Sequence, residues 1–215
     1  FRDINFNSNT PKALPSVCFV FAWGRIPLPL TVMQILAIDL VTDMVPALGL
    51  GVEPPEEGVM DRPPRRLSDR LLNRQLLIKA FVWYGLIEAA LAMGAFFLNY
   101  WVNQGNLNHL ASSGPLYREE TTMTLGAIIF TQIGLALNGS QGRGSRFQVQ
   151  PFANRIISLG IVLEILLFII LSYVPFFHTL FNTAPIGLDD WLYLLACPFV
   201  IMALEEIRYR LFDKK

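Results

Sequence analysis

Runs of apolar residues long enough to cross a membrane divide this chain, and they restrict its fold more than any other feature. A membrane-spanning helix needs about 20 mostly apolar residues. Four runs meet this requirement with few charges: 80–98, 121–138, 156–174 and 191–207. A fifth run, 28–50, is long enough although Asp39, Asp43 and Pro46 interrupt it. A sixth, 13–23, would cover only about 16 Å as a helix, so it is either truncated or continued through the polar stretch 5–12.

The composition agrees with a membrane protein. Hydrophobic residues make up 53% of the chain and charged residues 16%, whereas soluble domains average about 45–50% and about 25%. The run 156–174 is apolar on all sides, which excludes a soluble bundle with polar helix faces. We therefore predict an all-α, polytopic membrane helix bundle of about six transmembrane helices, the first of them truncated or discontinuous. The lipid bilayer is the expected partner, and the formal net charge of zero excludes a strongly basic nucleic-acid binder.

The positions of the basic residues predict the topology. Thirteen of the seventeen Lys and Arg residues fall in the connection 51–79, in the connection after residue 138 and in the tail. By the positive-inside rule these segments are cytoplasmic, as are both termini, and 103–120 and 175–190 lie outside. Glu205 and Glu206 are expected at the cytoplasmic edge, in the headgroup region. The predicted units are a first helix pair (1–50), a basic cytoplasmic loop (51–79), a four-helix membrane region (80–209) and a cytoplasmic tail (210–215).

Two carboxylates within the fifth run carry the strongest functional signal. Asp39 and Asp43 are four residues apart, so a helix places them on one face with Thr42 beside them. Pro46 has no N–H, which releases the carbonyl of Thr42 and favours a break in the helix. Two carboxylates, a hydroxyl and a free carbonyl are oxygen ligands suited to a hard metal cation. The alternative is a pair of aspartates satisfied by neighbouring helices or by basic side chains.

Other polar residues within the apolar runs give weaker signals. Asn9 lies near two prolines that release backbone carbonyls, so its segment resembles the Asp39 turn in chemistry. Gln132 is uncharged, and it either hydrogen-bonds across helices or contributes to a site. Glu88 and Glu164 are each solitary. For them we favour inter-helix packing or a proton path over direct coordination of a cation.

These motifs resemble a known family. The run PLPLT (27–31) followed by QILAIDLVTDMVPA (34–47) closely resembles the sixth transmembrane span of type II P-type cation-transporting ATPases, the calcium and sodium–potassium pump group. EPP (53–55) and MDRPPR (60–65) are similar to the cytoplasmic loop that follows that span. SNTP (8–11), with Pro15 further on, is similar to the fifth span. Nearly the whole chain then matches the last six spans, five to ten.

The resemblance implies a set of cation-binding residues and a cargo. The residues that match the family's cation ligands are Asn9, Asp39, Thr42, Asp43 and Gln132, with Ser8 as a possible modulator. Calcium is the first candidate for the transported cation, and sodium, potassium or protons are the alternatives. Asp39 followed by Leu40 resembles the sodium pump, whereas the segment 41–43 resembles the calcium pump. No catalytic residue is expected in this chain.

Lys12 is a departure from the family pattern. It stands where the family usually has a glutamate, three residues after Asn9. An ammonium there would either pair with Asp39 or Asp43 and replace one bound cation, or extend to the membrane interface. The identity of the transported ion depends on which of these holds.

A second departure is the absence of the family's phosphorylation motif, Asp-Lys-Thr-Gly-Thr. ATP and Mg²⁺ would belong to nucleotide-binding and phosphorylation domains outside this chain, which would also be its protein partners. The leading hypothesis is the C-terminal, ion-translocating membrane half of an ATP-driven pump. This part would not hydrolyse ATP by itself, and it would reside in the plasma membrane. One alternative is a truncated, non-catalytic membrane protein or interaction partner. Another is an unrelated secondary carrier that couples ions through Asp39 and Asp43.

Overall fold

The computed structural model describes residues 13–14, 27–39, 77–104, 112–139, 155–208 and 210–211. In these ranges the chain forms helices and no strand, which confirms the all-α prediction. A π-helical segment, Ile78–Tyr84, leads directly into helix α2. The α-helices are α1 (Val32–Ala37), α2 (Gly85–Gln104), α3 (Pro115–Gly139), α4 (Arg155–Tyr173), α5 (Pro175–Phe181) and α6 (Leu188–Arg208).

Three helical stretches of the described part are long and apolar enough to cross a membrane. They are Ile78–Val102, Pro115–Asn138 and Arg155–Tyr173, and they contain most of the predicted runs 80–98, 121–138 and 156–174. Helix α6 covers the fourth predicted run, and its 21 residues would extend about 31 Å at 1.5 Å per residue. Most of the run 13–23 and residues 40–50 of the run 28–50 lie outside the described residues, so the total of six spans stays a prediction.

The connections between these helices are more ordered than the sequence suggested. Helix α3 begins at Pro115, so the expected connection 103–120 is shorter and Glu120 is a helical residue. Within the expected connection 175–190, the short helix α5 begins with a proline, whose fixed φ angle suits the first helical position. Asn182 then ends α5 in the left-handed conformation, at φ 55° and ψ 44°.

Helix α3 lies at the centre of the bundle. In its most apolar stretch 94% of the residues are buried, and α2 and α6 pack against it along most of its length. Two glycines permit the close approach of α6. A Cβ added at Gly126 would lie 2.8 Å from Cδ1 of Leu194, and one added at Gly134 would lie 2.9 Å from Cα of Pro198. Contacts this short leave no room for a side chain, so the glycines set how closely the helices pack.

A cluster of three aromatic rings joins α3 to α4 and α6. Phe130, Phe168 and Trp191 meet edge to face, with ring centroids 5.6 to 6.0 Å apart. The indole N–H of Trp191 donates to the Tyr173 hydroxyl at 2.8 Å, which in turn donates to the carbonyl of Ile186 at 3.0 Å. Edge-to-face contacts of this kind add to the stabilisation from burial.

Helix α4 has an apolar outer face. Only 33% of its residues are buried, and Leu159, Val162 and Leu166 are about half exposed, at 57%, 59% and 48%. Its one carboxylate, Glu164, is turned inward and is 1% exposed. An apolar exposed face with the acid kept inside suits contact with lipid, because hydrocarbon cannot solvate a charge.

Glu205 corrects one prediction. Instead of meeting the headgroup region, its side chain is fully buried. It accepts hydrogen bonds from both Nε and Nη2 of Arg208, at 2.8 and 2.9 Å, and lies 3.6 Å from Nζ of Lys79. Lys79 belongs to the π-helical segment, so the end of α6 is tied to the start of the α2 span. The neighbouring Glu206 pairs with the exposed Arg210 at 2.7 Å.

Replacing Gly134 with alanine should destabilise the bundle. The new Cβ would lie 2.6 Å from Cγ2 of Ile201 and close to the backbone of Pro198. Overpacking of this kind costs about 1–3 kcal/mol. Thermal unfolding of the purified full-length protein in detergent measures it. Gly187→Ala is the control, because the nearest atom to its Cβ is 3.5 Å away; equal unfolding temperatures for both variants would contradict the close packing at Gly134.

The two adjacent glutamates of α6 should differ in their effect on stability. Glu205→Gln removes the charge of a fully buried carboxylate that pairs with Arg208 and Lys79, whose side chains are 12% and 26% exposed. Hydrogen bonds to charged groups contribute about 1.5–3 kcal/mol. Glu206→Gln breaks a pair whose Arg210 side chain is 64% exposed, and such pairs contribute about 0–1 kcal/mol. The unfolding midpoint in denaturant should therefore fall clearly for Glu205→Gln and little for Glu206→Gln. The reverse order would show that the buried pair is not what holds this end of the bundle.

Candidate cation site within the membrane

The segment that leads to Asp39 begins with a capped helix. Thr31 takes an extended conformation, and its hydroxyl accepts a hydrogen bond from the backbone N–H of Gln34 at 3.3 Å. The side chain of Gln34 accepts in return from the backbone N–H of Thr31 at 3.0 Å. This reciprocal pair is a capping box, which satisfies two N–H groups that the first turn leaves without helical partners.

Asp39 lies just beyond the end of α1. There the helix continues as a wider, π-helical turn at residues 38–39, a feature that recurs at functional sites in helices. Ile38 is fully buried, whereas the side chain of Asp39 is exposed. The helix therefore changes its geometry at the position where the sequence predicts a cation ligand.

Of the five predicted cation-binding residues, the structure describes Asp39 and Gln132. Thr42, Asp43 and Asn9 lie outside the described residues, and so do Ser8 and Lys12. Within the described ranges, no group of three or more His, Cys, Asp or Glu residues is placed to hold a metal ion. The predicted grouping of Asp39 with Thr42 and Asp43 stays a prediction.

Gln132 lies in the central helix α3 and is 6% exposed. The adjacent Thr131 donates its hydroxyl proton to carbonyls of its own helix, those of Ala127 at 2.7 Å and Ile128 at 2.8 Å. A threonine that is satisfied in this way needs no partner on another helix. Gln132 thus places a polar amide deep in the bundle. This position is compatible with a hydrogen bond between helices and also with a cation site.

Glu88 and Glu164 are both buried, at 0% and 1% exposure. They belong to different helices, α2 and α4, and neither side chain faces the surrounding lipid. This burial agrees with the expectation that acids within membrane helices face the bundle interior. Their assignment to packing or to a proton path remains a prediction.

Two buried polar residues near the start of α3 and α1 were missed in the sequence. Gln34 is fully buried and contacts two other elements. The spacing Thr31-x-x-Gln34 is typical of a capping box and could have indicated its local role. Glu120 is also fully buried, and its carboxylate oxygens have no hydrogen-bond partner among the described residues. Its position at the end of the predicted connection 103–120 gave no sign of burial, since the helix starts earlier than the apolar run.

The family comparison covers most of these elements. Residues 27–211 match the family model described as "Cation transporting ATPase, C-terminus". The chain therefore belongs to the P-type cation-transporting ATPases and corresponds to their C-terminal membrane region. Together with the apolar helices, this makes it an integral membrane protein.

Characterised relatives include pumps of two kinds. The chain is 28% identical over 205 residues to "Calcium-transporting ATPase 1" of Saccharomyces cerevisiae, an alignment that covers 95% of this chain and 20% of the relative. It is 31% identical over 233 residues to "Sodium/potassium-transporting ATPase subunit alpha" of Hydra vulgaris, with 96% and 22% covered. "Calcium-transporting ATPase type 2C member 2" of Mus musculus is 26% identical, with 95% and 20% covered. The chain thus spans about a fifth of the length of these relatives.

Proposed function

We propose that this chain is the ion-translocating membrane part of an ATP-driven cation pump. The transported cation is bound between helices by the oxygen ligands Asn9, Asp39, Thr42, Asp43 and Gln132. Asp39 and Asp43 supply the negative charge of the site. Ser8, Lys12, Glu88 and Glu164 modulate it.

The observation that carries the proposal is the family match that begins at residue 27 and includes the whole Asp39–Pro46 segment. The chemistry of that segment supports it. A carboxylate near the centre of a bilayer costs about 2.5–3.5 kcal/mol on insertion scales. A bound cation offsets this cost by neutralising the carboxylates and completing their oxygen coordination. Two acids within one turn are therefore best explained by a cation that occupies the site for part of a transport cycle.

Calcium is the first candidate for the transported cation. Two of the relatives above are described as calcium-transporting and one as sodium/potassium-transporting. The ligand set contains only oxygen, which calcium prefers, but it also suits sodium and potassium. Protons are a further candidate, because buried carboxylates such as Glu88 and Glu164 can carry them across a bundle. If the Lys12 ammonium pairs with the aspartates, the site needs one cation fewer.

The energy for transport comes from ATP, which is handled outside this chain. The N-terminal and cytoplasmic domains of the same pump supply the ATP and Mg²⁺ chemistry and are its protein partners. The basic loop that contains residues 61–74 transmits their movement to the membrane helices. The grouping of thirteen basic residues in alternate connections and the tail supports a cytoplasmic position for this loop and both termini, and the plasma membrane is the proposed location.

Asn substitutions at the two aspartates test the site. In the full-length protein, Asp39→Asn and Asp43→Asn each remove a charged ligand. Interactions of charged groups contribute about 1.5–3 kcal/mol, so the cation concentration for half-maximal ATPase activity should rise at least about tenfold. The activity is measured across calcium, sodium, potassium and a pH series, with Asp189→Asn as control because Asp189 is an exposed residue at the start of α6.

Three results would contradict the proposal in different ways. An unchanged cation dependence in both aspartate variants would move the site to other residues. An absence of cation-stimulated ATPase activity and of phosphorylation in the full-length parent would favour the alternative, a non-catalytic membrane protein derived from a pump. Transport that persists without ATP would instead support a secondary carrier.

Lys12→Glu tests whether an ammonium replaces a bound cation. If the Lys12 ammonium pairs with the aspartates, its replacement by a carboxylate should add about one bound cation and raise the charge moved per ATP, since a carboxylate attracts a cation whereas an ammonium repels it. Cation binding at equilibrium and charge transfer in proteoliposomes measure this. Lys12→Arg keeps the charge and is the control. Unchanged stoichiometry and affinity in Lys12→Glu would place Lys12 at the interface, outside the site.

A further inference from the structure

The side-chain amide of Gln34 joins three separate parts of the bundle. Its Nε2 donates to the hydroxyl of Thr121 in α3 at 3.3 Å and to the carbonyl of Asn182 after α5 at 3.4 Å. Its Oε1 accepts from the backbone N–H of Thr31 at 3.0 Å. Because the oxygen faces a backbone donor and the nitrogen faces a backbone acceptor, only one orientation of the amide satisfies all three contacts. Gln34 is fully buried, so water does not compete for these groups.

Further contacts hold the start of α1 against the same two elements. The hydroxyl of Thr31 donates to the carbonyl of Phe181 at 3.3 Å, at the end of α5. The hydroxyl of Tyr117 in α3 donates to the carbonyl of Leu28 at 2.7 Å. The segment that enters α1 is thus attached to both α3 and the end of α5, and each attachment is a directional hydrogen bond.

The elements that hold α1 are themselves tied to the rest of the bundle. The hydroxyl of Thr122 accepts from the backbone N–H of Ala184 at 3.0 Å, which links α3 to the connection after α5. The hydroxyl of Thr183 donates to the carbonyl of Leu171 in α4 at 2.5 Å. The acceptors of Gln34 therefore belong to a joined body of α3, α4 and the 182–187 connection.

Asp39 follows Gln34 by five residues, and the rise between them is about 7.5 Å in helical geometry. Ala37 and Ile38, which lie between them, are buried. If the anchor at Gln34 fixes the axial position and the rotation of the helix, it also fixes the direction in which the next turn presents its side chains.

We propose that Gln34 is a positioning residue, which sets the placement of Asp39 by anchoring its helix to Thr121 and Asn182. This inference rests on the proposed function, since it assigns to Gln34 the task of orienting the cation-binding segment.

The capping role of Gln34 and its anchoring role use different atoms. The capping box needs only Oε1 of residue 34, and a glutamate serves the cap as well as a glutamine. The contact to the carbonyl of Asn182 needs an N–H donor of Nε2, which an ionised glutamate lacks, whereas the Thr121 hydroxyl can donate to a carboxylate. Gln34→Glu therefore keeps the cap and breaks the anchor to Asn182. Thr121→Val removes one acceptor of the anchor without changing α1.

A matched control lies one turn along α3. The hydroxyl of Thr124 is also fully buried, but it donates to the carbonyl of Glu120 in its own helix at 2.9 Å. Thr124→Val therefore deletes a buried hydroxyl at nearly the same depth and leaves the contacts of Gln34 in place. Thr121→Ser is the conservative partner of Thr121→Val, because serine retains the acceptor oxygen.

The experiment measures cation-stimulated ATPase activity of the full-length protein, normalised to the amount of monodisperse folded protein. One or two hydrogen bonds contribute about 0.5–1.5 kcal/mol each. The cation concentration for half-maximal activity should thus rise about three- to tenfold in Gln34→Glu and Thr121→Val. It should stay at the parent value in Thr124→Val and Thr121→Ser. The double variant Gln34→Glu/Thr121→Val should show less than the product of the two single effects, because both substitutions disrupt the contacts of the same buried side chain.

The results separate this inference from the proposed function. If Asp39→Asn and Asp43→Asn weaken cation activation but Gln34→Glu and Thr121→Val change only the yield of folded protein, Gln34 is structural and the inference is overturned. If the aspartate variants leave cation activation unchanged, the proposed site is wrong, whatever Gln34 does. The inference would also be overturned if Thr124→Val weakened cation activation as much as Thr121→Val does, because the loss of any buried hydroxyl would then have the same effect.

Discussion

The hydrocarbon interior of a membrane offers no hydrogen-bond partners, and this constraint decides where the polar groups of the bundle lie. Among the described residues, helix α3 contains four of the six buried serine and threonine hydroxyls, and it is the helix that its neighbours surround. Thr122, Thr124 and Thr131 satisfy their hydroxyl protons on carbonyls of α3 itself. A polar helix can therefore occupy the centre of the bundle, while the apolar faces of α2 and α4 remain available to lipid.

The same constraint makes polar contacts strong at the two ends of the bundle. At one end Glu205 joins Lys79 and Arg208, and at the other Gln34 joins Thr121 and the backbone of Asn182. Between the ends the contact is mainly apolar and close, as at Gly126 and Gly134. A helix with a directional anchor at one end keeps its orientation there, and residues beyond the anchor can respond to movement elsewhere in the protein. This is the mechanical setting that the proposed cation segment would need.

Much of the fold was predictable from the lengths of the apolar runs. The runs near residues 80–98, 121–138 and 156–174 correspond to long apolar helices because a membrane span requires a minimum number of apolar residues, which local sequence shows directly. Helix ends were less predictable. The start of α3 at Pro115 precedes its apolar run, since helix formation continues through polar residues such as Arg118 and Glu119. For the site, the sequence predicted which residues have the chemistry to bind a cation, and the structure describes Asp39 and Gln132 among them.

The sequence by itself determined that this is an all-helical membrane protein and which family it belongs to, and it predicts that Asp39 and Asp43 lie on one face of a helix. These conclusions rest on local spacing and on a contiguous motif. Only the tertiary structure decided that Glu205 is a buried ion pair and that Gln34 contacts Thr121, 87 residues away. Contacts of this kind depend on how helices distant in sequence pack against each other, and side-chain type at one position carries no information about its partner at another.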